Sequence, residues 1–428
     1  MEEESQAQVE AAVEVPSYFV CPISLQMMRD PVTLPTGITY DRDGIERWLL
    51  TAATCPLTKQ PVPADVEPTP NHTLRRLIQS WAALHAVERV PTPTKATTDR
   101  ARVAELVARI DAAKSSRSTT PPQDQELLAA LRELRDVAAE SDRNRKLIAA
   151  VPRAVDILAA VLVASSAKTK QSSETVVCDE ALGIISSLQL SEQCLARVIE
   201  TTNGALAVVD VLVSALQRSN AASRAHAALL LQNVTAAMPA IRLASLPEQV
   251  FGEAVQLIRD NISKAATKAA LHVLVGTTPW GRNRVKAVDA GAVAVLVDML
   301  LDAPERRACE LALGALERLC GCAEGRAELV AHGAGVAAVG MRAFRVSEVA
   351  TDKAVRVLRS VARHAATAAA VQEMAQTGVV GTLCVVATQW EQYGERTRER
   401  ARETLRLHAR AWRTSPCLHR HLQAMYPC

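Results

Sequence analysis

The sequence predicts a mainly α chain, with a small α+β head followed by a right-handed solenoid of stacked helices. Three observations carry this. Only 3% of residues are aromatic, while Ala, Leu, Val, Arg and Glu dominate, a balance that favours helix over sheet. An apolar triplet spaced i, i+3, i+6 recurs through the last two-thirds of the chain. The stretch 15–90 breaks that pattern with Pro, Gly, Thr and two Cys-Pro turns. At 428 residues the chain is too long for one compact core, and 49% apolar content is that of a folded protein.

Residues 1–14 form an acidic tail expected to be disordered, without the apolar run of a signal peptide. In the head, DPVTLPTGITY sets strand-forming residues around a Pro35-Thr36-Gly37 turn. DRDGIERWLLTA then reads as a helix with Asp41 as its N-cap and Ile45, Trp48 and Leu49 on one face. PNHTLRRLIQSWAALHA is a second helix, capped by Asn71, with Leu74, Leu77, Ile78 and Trp81 expected to face inward. Residues 91–125 read as a linker holding one amphipathic helix from about Arg100 to Lys114. The solenoid is expected over 126–415 and a C-terminal tail over 416–428.

The triplet falls at Leu131/Leu134/Val137, Leu182/Ile185/Leu188, Ala228/Leu231/Val234, Leu271/Leu274/Thr277, Leu313/Leu316/Leu319 and Val355/Leu358/Val361. A degenerate seventh copy is Leu405/His408/Ala411. Subtracting successive first members gives spacings of 51, 46, 43, 42, 42 and 50, the central ones matching HEAT and armadillo repeats. In four repeats a glycine, Gly204, Gly291, Gly333 or Gly378, opens an apolar helix and is expected to supply a left-handed turn. Pro152 and Pro247 lie near that position in two others. GRNRVKAVDAGAVAVLVDML resembles the armadillo repeat. Stacked repeats of this kind leave a long groove for a partner.

Several function classes are excluded. A net charge of +3, from 49 basic and 46 acidic residues, with no basic stripe, is no footprint for nucleic acid. The most apolar windows are cut by Asp210 and Asp298, so no membrane span is expected. The ten cysteines show no framework spacing and read as reduced thiols. Two tetrahedral zinc ions need eight Cys or His ligands, and 15–90 holds only Cys21, Cys55, His72 and His85. The slots after the Cys-Pro turns hold Ser24 and Thr58, whose neutral hydroxyls are poor zinc ligands. Neither a metal nor a cofactor is expected.

The blocks VPSYFVCPISLQMMRDPVTLPTGITYDRDGIERWL, TCPLTKQPV and PNHTLRRLIQSW resemble the U-box, the metal-free relative of the RING domain. The whole chain resembles the plant U-box/armadillo E3 ubiquitin ligases. That resemblance implies a metal-free RING-like U-box followed by an armadillo solenoid. It implies binding of a ubiquitin-charged E2 and transfer of ubiquitin to lysines of a substrate held by the repeats. It implies E2-binding residues Ile23, Leu25, Trp48 and Pro56, and a linchpin cation at Lys59 where many members carry Arg. The expected location is cytoplasmic, with nuclear or membrane-peripheral sites and a U-box homodimer as further options, and a tie to stress and defence signalling. The rivals are a non-catalytic scaffold with an inactive U-box and a chain-elongation factor.

From the residues themselves, Ile23 and Pro56 beside the Cys-Pro turns are hard to bury in so small a domain, which favours a partner site. Trp48 and Leu25 fit a core role equally well. Cys21 and Cys55 lack a His/Asp pair to activate them and read as small buried residues. Ser24, Asp30, Thr36, Tyr40, Asp41, Arg42 and Thr58 are candidates for a polar network that replaces zinc. Gly333 and Gly335 sit in a repeat turn and make no dinucleotide fingerprint. Cys320, Cys322 and the Cys417/His419/His421/Cys428 group read as ordinary side chains. The slot that carries asparagine in importin-type grooves holds Asp136, Ser187, Asn233, Gly276, Arg318, Ser360 and Arg410, so no asparagine ladder is expected.

Overall fold

A computed structural model describes residues 15–52, 54–63, 68–84, 100–115, 121–166, 172–188, 190–201, 205–302, 305–344 and 346–426. The expected disordered tail over 1–14 lies outside them. The chain divides into two units, Met1–Thr97 and Thr98–Cys428, each with its own apolar core.

The first unit is built on a three-stranded antiparallel sheet in the order β2-β1-β3, with β1 Pro31–Thr33, β2 Thr39–Asp41 and β3 Thr69–Pro70. Gly37 takes the left-handed turn between β1 and β2 at φ 81°. Helix α1 spans Arg42–Thr51 and α2 spans His72–Leu84. Asn71 caps α2 as its spacing predicts, its Oδ1 accepting from the Leu74 amide at 3.0 Å. Asp41 does not cap α1 with its side chain. Its carboxylate accepts from the Arg29 and Asp30 amides at 3.0 and 2.7 Å, so a loop outside the helix won the competition for it. The core gathers Phe19, Met28, Val32, Tyr40, Ile45 and Ile78 with both cysteines. Leu77, expected to face inward, is 53% exposed, because Leu74, Ile78 and Trp81 already fill that face of α2.

The second unit is a run of helices in threes. It opens with α3 (Arg100–Ser115), then α4 (Pro121–Glu140), α5 (Asp142–Ala150) and α6 (Ala154–Ser166). Next come α7 (Ser172–Ser187), α8 (Glu192–Thr201), α9 (Ala205–Leu216), α10 (Ala221–Ala237), α11 (Ala240–Leu243) and α12 (Glu248–Asp260). Then follow α13 (Lys264–Thr277), α14 (Gly281–Asp289), α15 (Ala292–Leu301), α16 (Arg306–Leu319), α17 (Ala323–Ala331) and α18 (Gly335–Arg342). The last are α19 (Glu348–His364), α20 (Ala368–Gln376), α21 (Val379–Thr388), α22 (Glu395–Leu407), α23 (Ala409–Trp412) and α24 (Arg420–Ala424).

The triplets sit on every third helix. α4, α7, α10, α13, α16, α19 and α22 pack each on the next, and all eighteen residues of the first six triplets are buried. They are therefore the spine of one continuous core. In the seventh only Leu405 is buried, and Trp412 takes over the packing there. A parallel ladder runs through α6, α9, α12, α15, α18 and α21. Ion pairs tie successive spine helices, among them Arg135–Glu180 at 2.8 Å, Glu317–Arg356 at 3.3 Å and Arg359–Glu403 at 2.8 Å. Asn144 and Asn283 donate to the Val137 and Thr277 carbonyls at 3.0 and 2.9 Å, satisfying acceptors that the preceding helix leaves open at its C-terminus.

Two boundaries move. Helix α3, expected inside a linker, buries Val103, Leu106, Val107 and Ile110 against the solenoid core, so the solenoid begins at Arg100. The expected C-terminal tail is packed as well: Leu418 and Tyr426 are buried, and the Tyr426 hydroxyl donates to the Leu405 carbonyl at 2.5 Å. Among the repeat glycines, Gly291 and Gly378 are left-handed at φ 82° and 78°. Gly333 is not, and Gly204 lies outside the described residues. Beside Pro152 the left-handed position is taken by Arg153 at φ 61°. Among the described residues no helix is long and apolar enough to cross a membrane.

Candidate functional site

Two loops of the first unit share one geometry. In the first, the Cys21 amide donates to the Gln26 carbonyl at 2.8 Å and the Leu25 amide to the Cys21 carbonyl at 2.9 Å. In the second, the Cys55 amide donates to Gln60 at 2.8 Å and the Lys59 amide to Cys55 at 2.9 Å. Each loop is closed by one antiparallel bridge, Val20 with Met27 and Thr54 with Pro61. Each turns on a left-handed residue that is not glycine, Leu25 at φ 55° and Lys59 at φ 58°.

Helix α1 joins the loops. Ile23 packs on Gly44, where an added Cβ would stand 3.8 Å from three Ile23 carbons, so the glycine gives the first loop a flat seat. The Trp48 indole donates to the Thr54 carbonyl at 2.8 Å and anchors the second loop. The Lys59 ammonium lies 5.4 Å from the centre of the Trp48 ring, within reach of a cation–π contact. Ile23, Trp48 and Pro56 are half-buried, and Leu25 is 78% exposed. Leu57, 60% exposed, joins this surface; the sequence reading missed it, since nothing in its spacing separates it from a core leucine.

The polar residues fall into two groups, one beside each cysteine. In the first, the Cys55 thiol meets the Thr36 hydroxyl at 3.4 Å and the Tyr40 hydroxyl at 3.1 Å, with Thr58 also hydrogen-bonded to it. Burial raises its pKa, but donors from Thr36, Thr58 and Tyr40 outweigh burial and bring it down to about 6. Burial and the contact with Cys55 push Tyr40 up to about 12, which keeps its proton available to donate. Hydroxyl donors thus favour the thiolate form of a buried sulfur.

In the second group the Asp41 amide donates to the Cys21 sulfur at 3.2 Å, and Ser24 is a further partner of that thiol. Asp30 accepts from Arg42 Nε at 2.7 Å and pairs with Arg75. That clamp holds α1, α2 and the loop before β1 together. Arg75 was not among the sequence candidates, because a partner 45 residues from Asp30 leaves no local signal. Among the described residues no group of three or more metal-ligating side chains assembles.

Tyr40→Phe keeps the ring and removes both the contact to Cys55 and the acceptor of the Leu57 amide at 3.3 Å. Leaving buried partners unsatisfied costs about 1–3 kcal/mol. Hydrogen exchange should accelerate across Cys55–Gln60 while the solenoid amides stay unchanged.

Comparison with known proteins follows the same division. A family model described as the U-box domain matches residues 15–87. One described as the plant U-box protein ARM repeat region matches 103–428 and so begins within α3. E3 ubiquitin-protein ligase PUB23 of Arabidopsis thaliana is 42% identical, over 97% of this chain and 98% of that protein. E3 ubiquitin-protein ligase PUB22 of Arabidopsis thaliana is 40% identical, over 97% of this chain and 99% of that protein. Among solved structures, a computationally designed armadillo repeat protein for modular peptide recognition aligns at a TM-score of 0.43 and 17% identity, over 71% of this chain and 99% of that one.

Proposed function

The chain belongs to the plant U-box proteins that carry an armadillo repeat region, and we propose that it works as an E3 ubiquitin-protein ligase whose two loop tips dock the E2. The ligase itself forms no covalent bond. A substrate lysine amine attacks the E2–ubiquitin thioester, the carbon–sulfur bond breaks, and an isopeptide bond forms. The protein's contribution is to hold the thioester in a reactive pose. Ile23, Leu25, Trp48 and Pro56 make the apolar E2 patch, and Lys59 is the linchpin cation between E2 and ubiquitin. Lysine lacks the planar fork of arginine, so Lys59→Arg should raise transfer.

The observation that carries this reading is the pair of left-handed loop tips. An L-residue in that conformation costs about 1–2 kcal/mol relative to its ordinary backbone regions. Both loops accept the cost at the same position, and both side chains, Leu25 and Lys59, point to solvent rather than into the core. Strain kept at the same position of both loops, each time under an exposed side chain, fits a contact surface.

The solenoid holds the substrate along the spine helices. The protein acts in the cytoplasm, with access to the nucleus or to membrane surfaces through its partners, in stress and defence signalling. A U-box homodimer would cover Tyr18 and Leu77, 65% and 53% exposed; light scattering of the full chain decides that point. The activity is tested by mixing the full chain with E1, a panel of E2s, ubiquitin and ATP. Polyubiquitin ladders should form, persist with a zinc chelator, and fade with Ile23→Ala or Pro56→Ala. Absence of ladders with every E2, from folded protein, overturns the ligase. Ladders only on substrates that already carry ubiquitin would favour the chain-elongation role.

A further inference from the structure

Away from the U-box, the solenoid holds an open cleft of about 440 Å³ lined by the ends of α12 and α15 and the starts of α13 and α16. That volume lies in the range of about 300–1,000 Å³ typical of ligand sites. Its floor is apolar: Ile258, Val295 and Ala308 are buried and Met299 is half-buried. Its walls carry opposite charge. The α12–α13 side contributes Arg259, Lys264 and Lys268, and the α15–α16 side contributes Asp298, Asp302 and Glu305. Lys268 and Glu305 pair with each other, and Asp298 meets His332 at 3.4 Å. Lys264 and Asp302 are exposed on opposite walls.

We propose that this cleft binds a segment of a partner protein that presents one aliphatic side chain with an acidic residue on one side and a basic residue on the other. The aliphatic group fills the floor, the acid faces Lys264 and Arg259, and the base faces Asp302 and Asp298. Charge across the cleft is what selects this occupant: a uniformly acidic or basic segment meets repulsion from one wall, and a purely apolar one leaves both walls unanswered. The cleft is defined by its own floor and charges at the ends of α12 and α15 and the starts of α13 and α16, so the site holds whether or not the chain is a ligase.

The test uses fluorescein-labelled peptides with Gly-Ser flanks and the cores Glu-Leu-Lys, Glu-Leu-Glu, Lys-Leu-Lys and Glu-Ala-Lys, titrated with the full chain. Glu-Leu-Lys should bind tightest, by about fivefold over either uniformly charged probe at low salt, and Glu-Ala-Lys should lose most of its binding. Lys264→Glu should transfer the preference to Lys-Leu-Lys, and Asp302→Lys to Glu-Leu-Glu. Both changes suit the helix ends they occupy, acid at the start of α13 and base at the end of α15, so neither threatens the fold. The proposal falls if no probe binds saturably, if all bind alike, or if the two variants leave the order unchanged. It also falls if free glutamate or free lysine displaces the probe as well as unlabelled peptide does.

Discussion

Replacing Leu25 and Lys59 together by glycine is expected to leave the U-box as stable as before, or more stable by up to about 1 kcal/mol, while cutting ubiquitin transfer at least tenfold, about 1.4 kcal/mol or more. Stability and activity move apart for a physical reason. Both residues are left-handed, so glycine relieves a steric penalty in the folded state, and greater freedom of the unfolded chain offsets part of that gain. The loop hydrogen bonds from both amides are backbone bonds and survive the change. What is lost is the exposed leucyl group of one tip and the ammonium of the other, and with them the proposed E2 contacts. Side chains at the centre of a small interface often contribute about 2 kcal/mol or more when truncated. Thermal unfolding gives the first quantity and single-turnover discharge of a charged E2 the second. A variant that discharges E2 within twofold of wild type would remove the two loop tips from the mechanism. Loss of activity together with loss of fold would mean that their side chains serve the domain itself.

Much of this site was legible in the residues. The Cys-Pro turns, the strand–turn–strand around Gly37 and the faces of α1 and α2 follow from local spacing, and local spacing is what a sequence displays. The left-handed tips were not legible, since leucine and lysine give no sign of positive φ as glycine or asparagine do. The part played by the cysteines was half legible. Their burial follows from their type, but their service as acceptors for Tyr40, Thr36 and the Asp41 amide depends on groups 15 to 20 residues away. Asp41 shows the same limit in reverse. It occupies the N-cap position, yet its carboxylate serves the Arg29 and Asp30 amides, a choice that only the folded loop presents. In the solenoid the triplets were legible because repetition turns a tertiary contact into a period. The exceptions fall at the two ends, where α3 and the segment around Tyr426 cover the core without matching the repeat.

Gly335→Ala should be among the most damaging single methyls in the solenoid, alongside Gly325→Ala, whose Cβ would meet the Leu319 carbonyl at 2.2 Å. A Cβ at Gly335 would lie 2.1 Å from the Leu329 carbonyl oxygen and 3.1 Å from its carbon, both backbone atoms of the neighbouring helix α17. A backbone carbonyl inside a helix cannot swing aside, so α17 and α18 must separate, and overpacking of this kind costs about 3 kcal/mol or more. Gly333 shares a turn with Gly335 but has nothing within 4 Å of its added Cβ and no positive φ, so Gly333→Ala should stay within about 0.5 kcal/mol of wild type. Gly291→Ala and Gly378→Ala fall between, at about 1 kcal/mol each, from left-handed strain in open space. The expected order, Gly335 first and Gly333 last, reverses the order that repeat position alone suggests. Because each repeat leans on its neighbours, the loss at Gly335 should spread to α15 and α21, which pack on α18. The U-box has its own core and should keep its own transition. Gly335→Ala should therefore lower the first unfolding midpoint of the solenoid amides in hydrogen exchange while E2 discharge persists at moderate temperature. Equal destabilisation by Gly333→Ala and Gly335→Ala would show that the turn, rather than the close approach of α17 and α18, sets the local stability.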